Sequence, residues 1–301
     1  MKRLLVLLSL FPLYPLSPLQ AQSALESELR ALVSGFKGDV GIYVEHLGTG
    51  ESIAIHADSL FPTASMVKIP ILVGIFSKLE TGELTYDAPM SYDTTFVYPG
   101  TDVVGQLTHG AEISLHKAAF LMMSFSDNTA SLWLQHLAGT GTVINEHMAA
   151  LGLEHTRVNS RTPGREEIRQ RYGWGVTTPR EMAGLMTRIH RGEVVSPAAS
   201  EEMLRLMSKS LWDKEALSAL PPYVAAASKQ GAVSHSRSEV VLVHSPSGPY
   251  VFCVITKNQE DRSWNVDNAG YVLLRKVSAA LWDHYAPTDT WKPKDGSSRY
   301  Q

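Results

Sequence analysis

The stretch Ser65-Met66-Val67-Lys68 opens an apolar segment that continues as Ile69-Pro70-Ile71-Leu72-Val73. If this segment is a helix, residues three apart share a face, and the Ser65 hydroxyl lies beside the Lys68 amine. An amine in that position can accept the hydroxyl proton and make serine a nucleophile. Ser65 by itself is also a good helix N-cap. A charged Lys68 within apolar sequence, however, needs a partner or a function.

Two further strings follow, Ser126-Asp127-Asn128 and Lys229-Gln230-Gly231, at separations of 61 and then 103 residues. Each pattern alone is weak, since a second S-x-x-K occurs at Ser34–Lys37 and a second K-x-G at Lys294–Gly296. All three strings in this order match the S-x-x-K, S-D-N and K-T-G signature of class A β-lactamases and penicillin-binding proteins. The chain therefore resembles the class A β-lactamase family from roughly residue 24 to residue 285.

The resemblance implies an α/β (α+β) fold of two lobes, in which a five-stranded antiparallel sheet flanked by helices joins an all-helical lobe. Sequence patterns agree, because strands and helices at both chain ends enclose a mostly helical middle of about residues 65–210. The predicted elements outside that middle are a helix over Ser23–Phe36, strands over Val40–Val44, Ser52–Ile55, Tyr223–Ala227, Val240–His244 and Tyr250–Thr256, and a helix over Trp264–Tyr285. We expect one hydrolase domain over residues 22–286 with a cleft between its lobes, followed by a polar tail over residues 287–301.

The resemblance also implies roles for the residues of the first two strings. Ser65 is the residue that is acylated, and Lys68 helps to activate it. Ser126 passes a proton to the leaving nitrogen, and Asn128 bonds to the substrate amide. Asp127 is mainly structural, which agrees with the alternative that this string caps the next helix.

The third string places Lys229 at the end of a predicted strand, where it is either a solvated charge or, as the resemblance implies, a cation for the substrate carboxylate. Gly231 lets substrate approach the strand, and by resemblance the Ala232 amide completes an oxyanion hole with the serine amide. Each such donor lowers the barrier by about 3 kcal/mol. Gln230 departs from the Thr or Ser of the family, although its amide can still donate. Arg237 is either a second carboxylate ligand, as a bidentate fork, or a surface arginine.

The glutamate that activates the deacylating water in the family has no obvious counterpart. In the family this glutamate lies seventeen residues before a proline, and the corresponding proline here is Pro179, within Thr177–Ala183. Counting back seventeen residues from Pro179 reaches Thr162. Glu166 and Glu167 lie four and five positions later. They are either a relocated deacylation base or a solvated charge pair beside arginines. Acylation is thus better supported by the sequence than turnover.

The composition limits the classes of molecule that we expect the chain to bind. At 301 residues and 44% hydrophobic content, the chain can bury a large core in one or two domains. A formal charge of −3 gives no basic patch for nucleic acid. The eleven histidines form no H-x-x-x-H or H-E-x-x-H string, so we expect neither a metal nor another cofactor. The expected partner is a small β-lactam or a cell-wall peptide, bound by a monomer.

The N-terminus has the features of an export signal. Lys2-Arg3 precede an apolar stretch from Leu4 to Leu16, and Leu19-Gln20-Ala21 fits a cleavage site, which gives a signal peptide over residues 1–21. The alternative is a membrane anchor, but prolines interrupt a run that is short for a span. Cys253 is the only cysteine, so an internal disulfide is excluded. We expect a periplasmic or secreted bacterial protein without a stable membrane anchor.

Three functional hypotheses follow from these patterns. The first is a β-lactamase that opens the β-lactam amide through an acyl-enzyme on Ser65. The second is a peptidase or esterase on the same scaffold that cuts a D-Ala peptide or a small ester. The third is a covalent penicillin-binding or sensing protein that acylates without turnover. The missing glutamate favours the second and third hypotheses, whereas the lack of an added domain disfavours the third.

Overall fold

The computed structural model describes residues 18–100 and 102–294, with side chains from residue 22 onward. The first 17 residues of the predicted signal peptide and residues 295–301 of the predicted polar tail lie outside the described residues. The strands are β1 (Asp39–His46), β2 (Ser52–Ile55), β3 (Phe61–Pro62), β4 (Pro89–Ser91), β5 (Glu112–Ser114), β6 (Arg157–Val158), β7 (Gly175–Thr177), β8 (Ala226–Val233), β9 (Ser236–Ser245) and β10 (Gly248–Lys257). The helices are α1 (Pro18–Ser34), α2 (Lys68–Glu80), α3 (Leu115–Phe120), α4 (Asn128–Leu137), α5 (Thr140–Ala150), α6 (Glu166–Tyr172), α7 (Pro179–His190), α8 (Pro197–Met207) and α9 (Ala269–Tyr285).

The main sheet has five antiparallel strands in the order β2-β1-β10-β9-β8. It therefore joins strands from the two ends of the chain, as predicted. The central strand β10 is buried from Tyr250 to Thr256, because helices cover both faces of the sheet. One face packs on α1 and α9 through residues such as Val241 and Phe252. The other face packs toward α2 and α7 through residues such as Val240 and Leu242.

The second lobe is built around α2. Every residue of α2 from Lys68 to Phe76 is buried, and α4, α5 and α8 surround the helix. Pro70 is the third residue of α2, within the first turn, where a missing amide donor breaks no helical hydrogen bond. The lobe is mostly helical, as expected, but it also holds the short pair β4-β5 and the three-stranded sheet β3-β7-β6.

Two predicted boundaries were wrong for identifiable reasons. The strand predicted over Tyr223–Ala227 begins as β8 at Ala226, not at Tyr223, because the Val224 amide bonds to the Pro221 carbonyl in a turn (3.0 Å) that keeps these residues off the ladder. Helix α9 begins at Ala269, not at Trp264, because the Asn268 side chain caps it by accepting from the Gly270 amide (2.9 Å). Helix α1 begins five residues before the predicted start and ends two residues before the predicted end.

Two smaller expectations concern a membrane span and the cysteine. In the described ranges, no helix combines the length and apolar character that a bilayer crossing requires. Cys253 is fully buried in β10, and burial raises the pKa of its thiol well above the ordinary value. It is an inert core residue, as predicted.

Candidate active site

Ser65 lies in a short 3-10 turn, Ala64–Val67, that leads directly into α2. Ala64 adopts a left-handed backbone conformation with φ 44°, which is strained for a residue with a Cβ. This turn leaves Ser65 partly exposed while Met66 and Val67 are buried beneath it. Ser65 is thus partly exposed to solvent, while the residues that follow it in the turn are buried in the core.

Lys68 is completely buried and forms the centre of the site. Its Nζ lies within hydrogen-bond distance of Ser65 Oγ (2.9 Å), Asn128 Oδ1 (2.8 Å), and the carbonyl and hydroxyl oxygens of Ser126 (2.9 and 3.1 Å). Burial lowers the pKa of Lys68 to about 7, although Asp102 and Asp127 oppose this shift. A large fraction of Lys68 is therefore neutral near pH 7, and a neutral amine 2.9 Å from a hydroxyl can act as its base.

Ser126 lies between two lysines. It follows a wide π-helical turn, Leu121–Phe125, and has φ 60° in the left-handed region. Its Oγ accepts from Lys68 Nζ at 3.1 Å and from Lys229 Nζ at 3.0 Å. A hydroxyl held between two amines can lose its proton on one side and regain one on the other.

The segment that carries Ser126 is held in place by two aspartates. Asp127 caps α4 through the Ala130 amide (2.8 Å) and also accepts from the Val104 amide (2.9 Å). Asp102 accepts from the Asn128 and Thr129 amides at 3.0 and 2.8 Å. The structural role predicted for Asp127 agrees with these contacts. The sequence analysis missed Asp102, which lies in a loop with no pattern to mark it.

Lys229 lies on β8 and is buried, with 2% of its surface exposed. Burial, and then the proximity of Lys68, hold the pKa of Lys229 well below its ordinary value, whereas Glu239 and Glu215 oppose the shift. Its Nζ also donates to the Gln230 side-chain oxygen at 2.6 Å. Gln230 therefore contacts the lysine directly, where the family signature has a small hydroxyl residue.

Gly231 is required by the close approach of β8 to the Ser65 turn. A Cβ at this position would lie 2.7 Å from the Thr63 carbonyl oxygen and 2.9 Å from the Ser65 amide nitrogen. The next residue, Ala232, lines the cleft together with Ser65. The contact of these two backbones provides the setting for the predicted pair of oxyanion donors.

The cleft beside Ser65 has a volume of about 650 Å³. Near the serine it is lined by Asn128 and Ala232, and farther out by aromatic residues that include Tyr98 and Trp174. The rings of Tyr98 and Trp174 meet edge to face, 5.2 Å apart. Sequence patterns did not indicate these aromatic residues, because they come from loops on different segments.

Glu166 and Glu167 do not reach this cleft. Both are exposed in the first turn of α6, and among the described residues neither lines the cavity beside Ser65. Their assignment as relocated deacylation bases is wrong for this structure, because the helix directs them to solvent. Thr162, at the position reached by counting, is buried, and its hydroxyl donates to the Ser160 carbonyl (2.9 Å).

Arg237 also lies outside the cleft. Register pairs it with Ala232 on β8, but its side chain packs toward α9, between the rings of Trp264 and Tyr271 at 4.5 and 4.7 Å. Its guanidinium is completely buried and donates to the carbonyls of Val233, Ser236 and Ser263. These contacts hold the guanidinium on the α9 side of the sheet, away from the cleft, so Arg237 is neither the carboxylate ligand nor the surface arginine that the sequence allowed.

The Beta-lactamase enzyme family is matched by residues 24–285 of the chain. Among curated proteins, the Beta-lactamase AER-1 of Aeromonas hydrophila is 24% identical over 266 residues, which cover 88% of this chain and 85% of that protein. A Beta-lactamase of Streptomyces fradiae is 25% identical over 247 residues, 77% and 78% of the two chains.

Solved structures are similar over a comparable span. PBP-A superposes with a TM-score of 0.77 at 26% identity, covering 87% of this chain and 95% of that one. A point mutant of PBP-A, determined as an acyl-enzyme complex with penicillin G, gives the same TM-score and identity. A beta-lactamase from Sphaerobacter thermophilus gives 0.76 at 24% identity, covering 87% and 96%.

Proposed function

Because the chain belongs to the beta-lactamase enzyme family, we propose that it is an exported serine hydrolase that opens the β-lactam amide bond through an acyl-enzyme on Ser65. The observation that carries this proposal is the position of Lys68, whose buried amine lies 2.9 Å from Ser65 Oγ and contacts the other two polar side chains of the site. A base in contact with a serine hydroxyl is the arrangement that nucleophilic catalysis needs.

Acylation begins when neutral Lys68 takes the proton of Ser65 and the serine oxygen attacks the β-lactam carbonyl carbon. The carbonyl oxygen gains negative charge, which the amides of Ser65 and Ala232 stabilise. The C–N bond then breaks as Ser126 gives its proton to the leaving nitrogen. Protonated Lys68, 3.1 Å from Ser126 Oγ, returns a proton to that oxygen. The net result is the transfer of one proton from Ser65 to the product amine, with Ser126 protonated and Lys68 neutral as at the start.

Lys229 is placed to bind the carboxylate of the substrate, because an anion beside its buried amine would offset the lowered pKa of Lys229 and favour the charged form. Its amine is 3.0 Å from Ser126 Oγ, so a carboxylate at Lys229 would lie beside the leaving nitrogen. The Gln230 side-chain oxygen accepts a hydrogen bond from Lys229 Nζ. We therefore expect a substrate carboxylate to compete with this side chain for the lysine.

Deacylation is proposed to be slow. Among the described residues, no aspartate or glutamate lines the cleft beside Ser65, and water near neutral pH needs a general base to attack an ester quickly. The same observation favours a second candidate function, a penicillin-binding D-Ala peptidase or esterase. The likeness to PBP-A, at 26% identity, supports that candidate as well.

The deciding experiment mixes purified protein with a penicillin and a cephalosporin and follows intact mass and ring-opened product together. An adduct on the protein with slow product release supports the proposed function. Fast product release without an adduct would require a deacylation base other than a carboxylate, because no aspartate or glutamate of the described residues lines the cleft. A D-Ala-D-Ala peptide and a thioester tested in parallel identify the second candidate, which predicts faster turnover of these substrates than of either β-lactam.

Export is proposed from the sequence alone. The basic start, the apolar stretch and the small-residue site at Ala21 support a cleaved signal peptide. Expression of the full chain in a Gram-negative host, followed by N-terminal sequencing of the periplasmic protein, tests this. We expect the mature chain to begin at Gln22, and protein that retains Met1 in the membrane fraction would contradict it.

A further inference from the structure

The cleft beside Ser65 carries basic side chains. Arg171, His235 and Lys257 line it, and no carboxylate side chain of the described residues does. The chain as a whole carries a formal charge of −3, so this local excess of cations is opposite to the average surface. A cleft lined by one sign of charge concentrates ligands of the other sign.

The cleft leads away from Lys229. Its lining includes Ser65 and Asn128 but neither Ser126 nor Lys229. From the serine it extends between the β8-β9 turn, where His235 lies, and the end of α6, where Arg171 lies. A ligand whose ring carboxylate is at Lys229 would therefore direct its acyl side chain, on the amide side near Asn128, toward these cations.

Arg171 and Lys257 both have hydrogen-bond donors available to a ligand. Within the described residues, no carboxylate lies within 4.0 Å of the charged nitrogens of Arg171 or Lys257. The Arg171 guanidinium lies over the Tyr172 ring at 5.2 Å and is exposed. Lys257 Nζ uses one donor on the Leu60 carbonyl, at 2.9 Å, and an ammonium group has three.

The acidic residue closest in register is already engaged. Asp39 pairs with Lys257 across β1 and β10, but its carboxylate accepts from the Asn258 side-chain amide at 2.7 Å. Asp39 forms no ion pair with Lys257 in the described structure, and it does not line the cleft. The lysine charge is thus not cancelled at the cleft surface.

We propose that Arg171 and Lys257 form a second anion site, which selects substrates whose acyl side chain carries a carboxylate. This inference rests on the proposed function, because it assumes acylation of Ser65 by an amide or ester. A preferred substrate would then be a dianion, with one carboxylate at Lys229 and the other at Arg171 and Lys257. Arginine contributes a planar fork and lysine a point charge, and both suit a carboxylate.

The test compares benzylpenicillin with α-carboxybenzylpenicillin, which adds one carboxylate to the acyl side chain. The second-order rate constant of acylation is measured for both by intact mass. We expect the wild-type protein to favour the dianion and this preference to shrink as salt is added. In Arg171→Gln and in Lys257→Gln, the ratio of the two rate constants should fall about fivefold, since charged hydrogen bonds at partly exposed sites are of that strength.

Arg169→Gln is the matched control, because Arg169 is exposed on the same helix but does not line the cleft. Its ratio should equal the wild-type ratio. An unchanged ratio in Arg171→Gln, whose exposed side chain is not needed for folding, would overturn the second anion site while leaving the proposed function intact. Failure of both penicillins to acylate the wild-type protein would instead overturn the proposed function and this inference with it.

Discussion

The side of the cleft that carries Ser65 and the side formed by residues 160–174 are built in opposite ways. On the first side, Lys68 and Lys229 are buried, and each contacts the Ser126 hydroxyl. On the second side, Glu166 and Glu167 point to solvent, and basic and aromatic residues line the cleft. The difference suggests that the molecule is equipped for the first half of hydrolysis, in which the acyl-enzyme forms, more than for the second.

The largest expected effect comes from removing the nucleophile. Ser65→Ala should abolish covalent labelling by a β-lactam or an acylating phosphonate, because the Ser65 hydroxyl lies 2.9 Å from Lys68 Nζ and Ser65 lines the cleft. Intact mass measures the label. Ser34→Ala, in the chance S-x-x-K string at an exposed position of α1, should label normally. Persistent labelling of the Ser65→Ala protein would end the serine-nucleophile account.

Removing the base should have the next largest effect. Lys68→Ala deletes the amine that contacts Ser65 Oγ, and general-base assistance accounts for about 10²- to 10⁴-fold in rate. We therefore expect acylation to slow by that factor in a stopped-flow or mass-based assay. Acylation within tenfold of the wild type would show that another group takes the serine proton. Thermal unfolding of the mutant should be recorded to confirm that it is folded.

The pH dependence of acylation tests the same amine without a mutation. The neutral form of Lys68 is the base, and its pKa is lowered to about 7. Below that pH the amine is protonated, so the acylation rate should fall by about tenfold per pH unit, whereas above it the rate should reach a plateau. A rate measured from pH 5 to 9 that still rises steeply at pH 9 would mean that Lys68 keeps an ordinary pKa.

Replacement of Lys229 should have a smaller and substrate-selective effect. Lys229→Ala removes the charge proposed to bind the ring carboxylate, so penicillins should lose more acylation rate than neutral esters do. About tenfold more loss is expected, since a hydrogen bond to a charged group is of this strength. The comparison uses one penicillin and one uncharged thioester. An equal loss on both substrates would assign Lys229 to proton transfer through Ser126 rather than to carboxylate binding.

The smallest expected effect lies on the opposite side of the cleft. Replacing Glu166 and Glu167 together by Gln should change product release by less than about twofold, because surface substitutions away from a site have little effect. The penicilloyl adduct should persist for minutes or longer in the wild type and in the double mutant alike. If turnover is fast and is lost in the double mutant, α6 must move to bring a carboxylate into the cleft.

The sequence was most informative where the chemistry depends on local spacing. The S-x-x-K string puts Lys68 beside Ser65 in any helical turn, and Asp127 caps α4 as its position before an apolar helix predicts. The order of strands and helices also predicted the two lobes, and the family resemblance implied the five-stranded sheet. These features follow from periodicity and from residue types with strong local preferences.

For Arg237 and Glu166, spacing along the chain was not enough to predict where the side chain lies. Arg237 is eight residues past Lys229, but successive residues of a strand point to opposite faces, and register puts the arginine on the α9 face. Glu166 is near Thr162 in sequence, yet the start of α6 turns it outward. In both cases the local direction of the backbone decides which side of the molecule the side chain reaches.

The sequence by itself placed an amine beside Ser65, the proposed nucleophile, and through the family resemblance implied the fold, because both depend on spacing along the chain. Only the tertiary structure decided that Lys68 is buried enough to lower its pKa to about 7 and that Asp102 supports the Ser126 segment. It also decided that Arg171 and Lys257 line the same cleft. Desolvation and charge proximity depend on residues far apart in the chain, and their sum is fixed only when the two lobes meet.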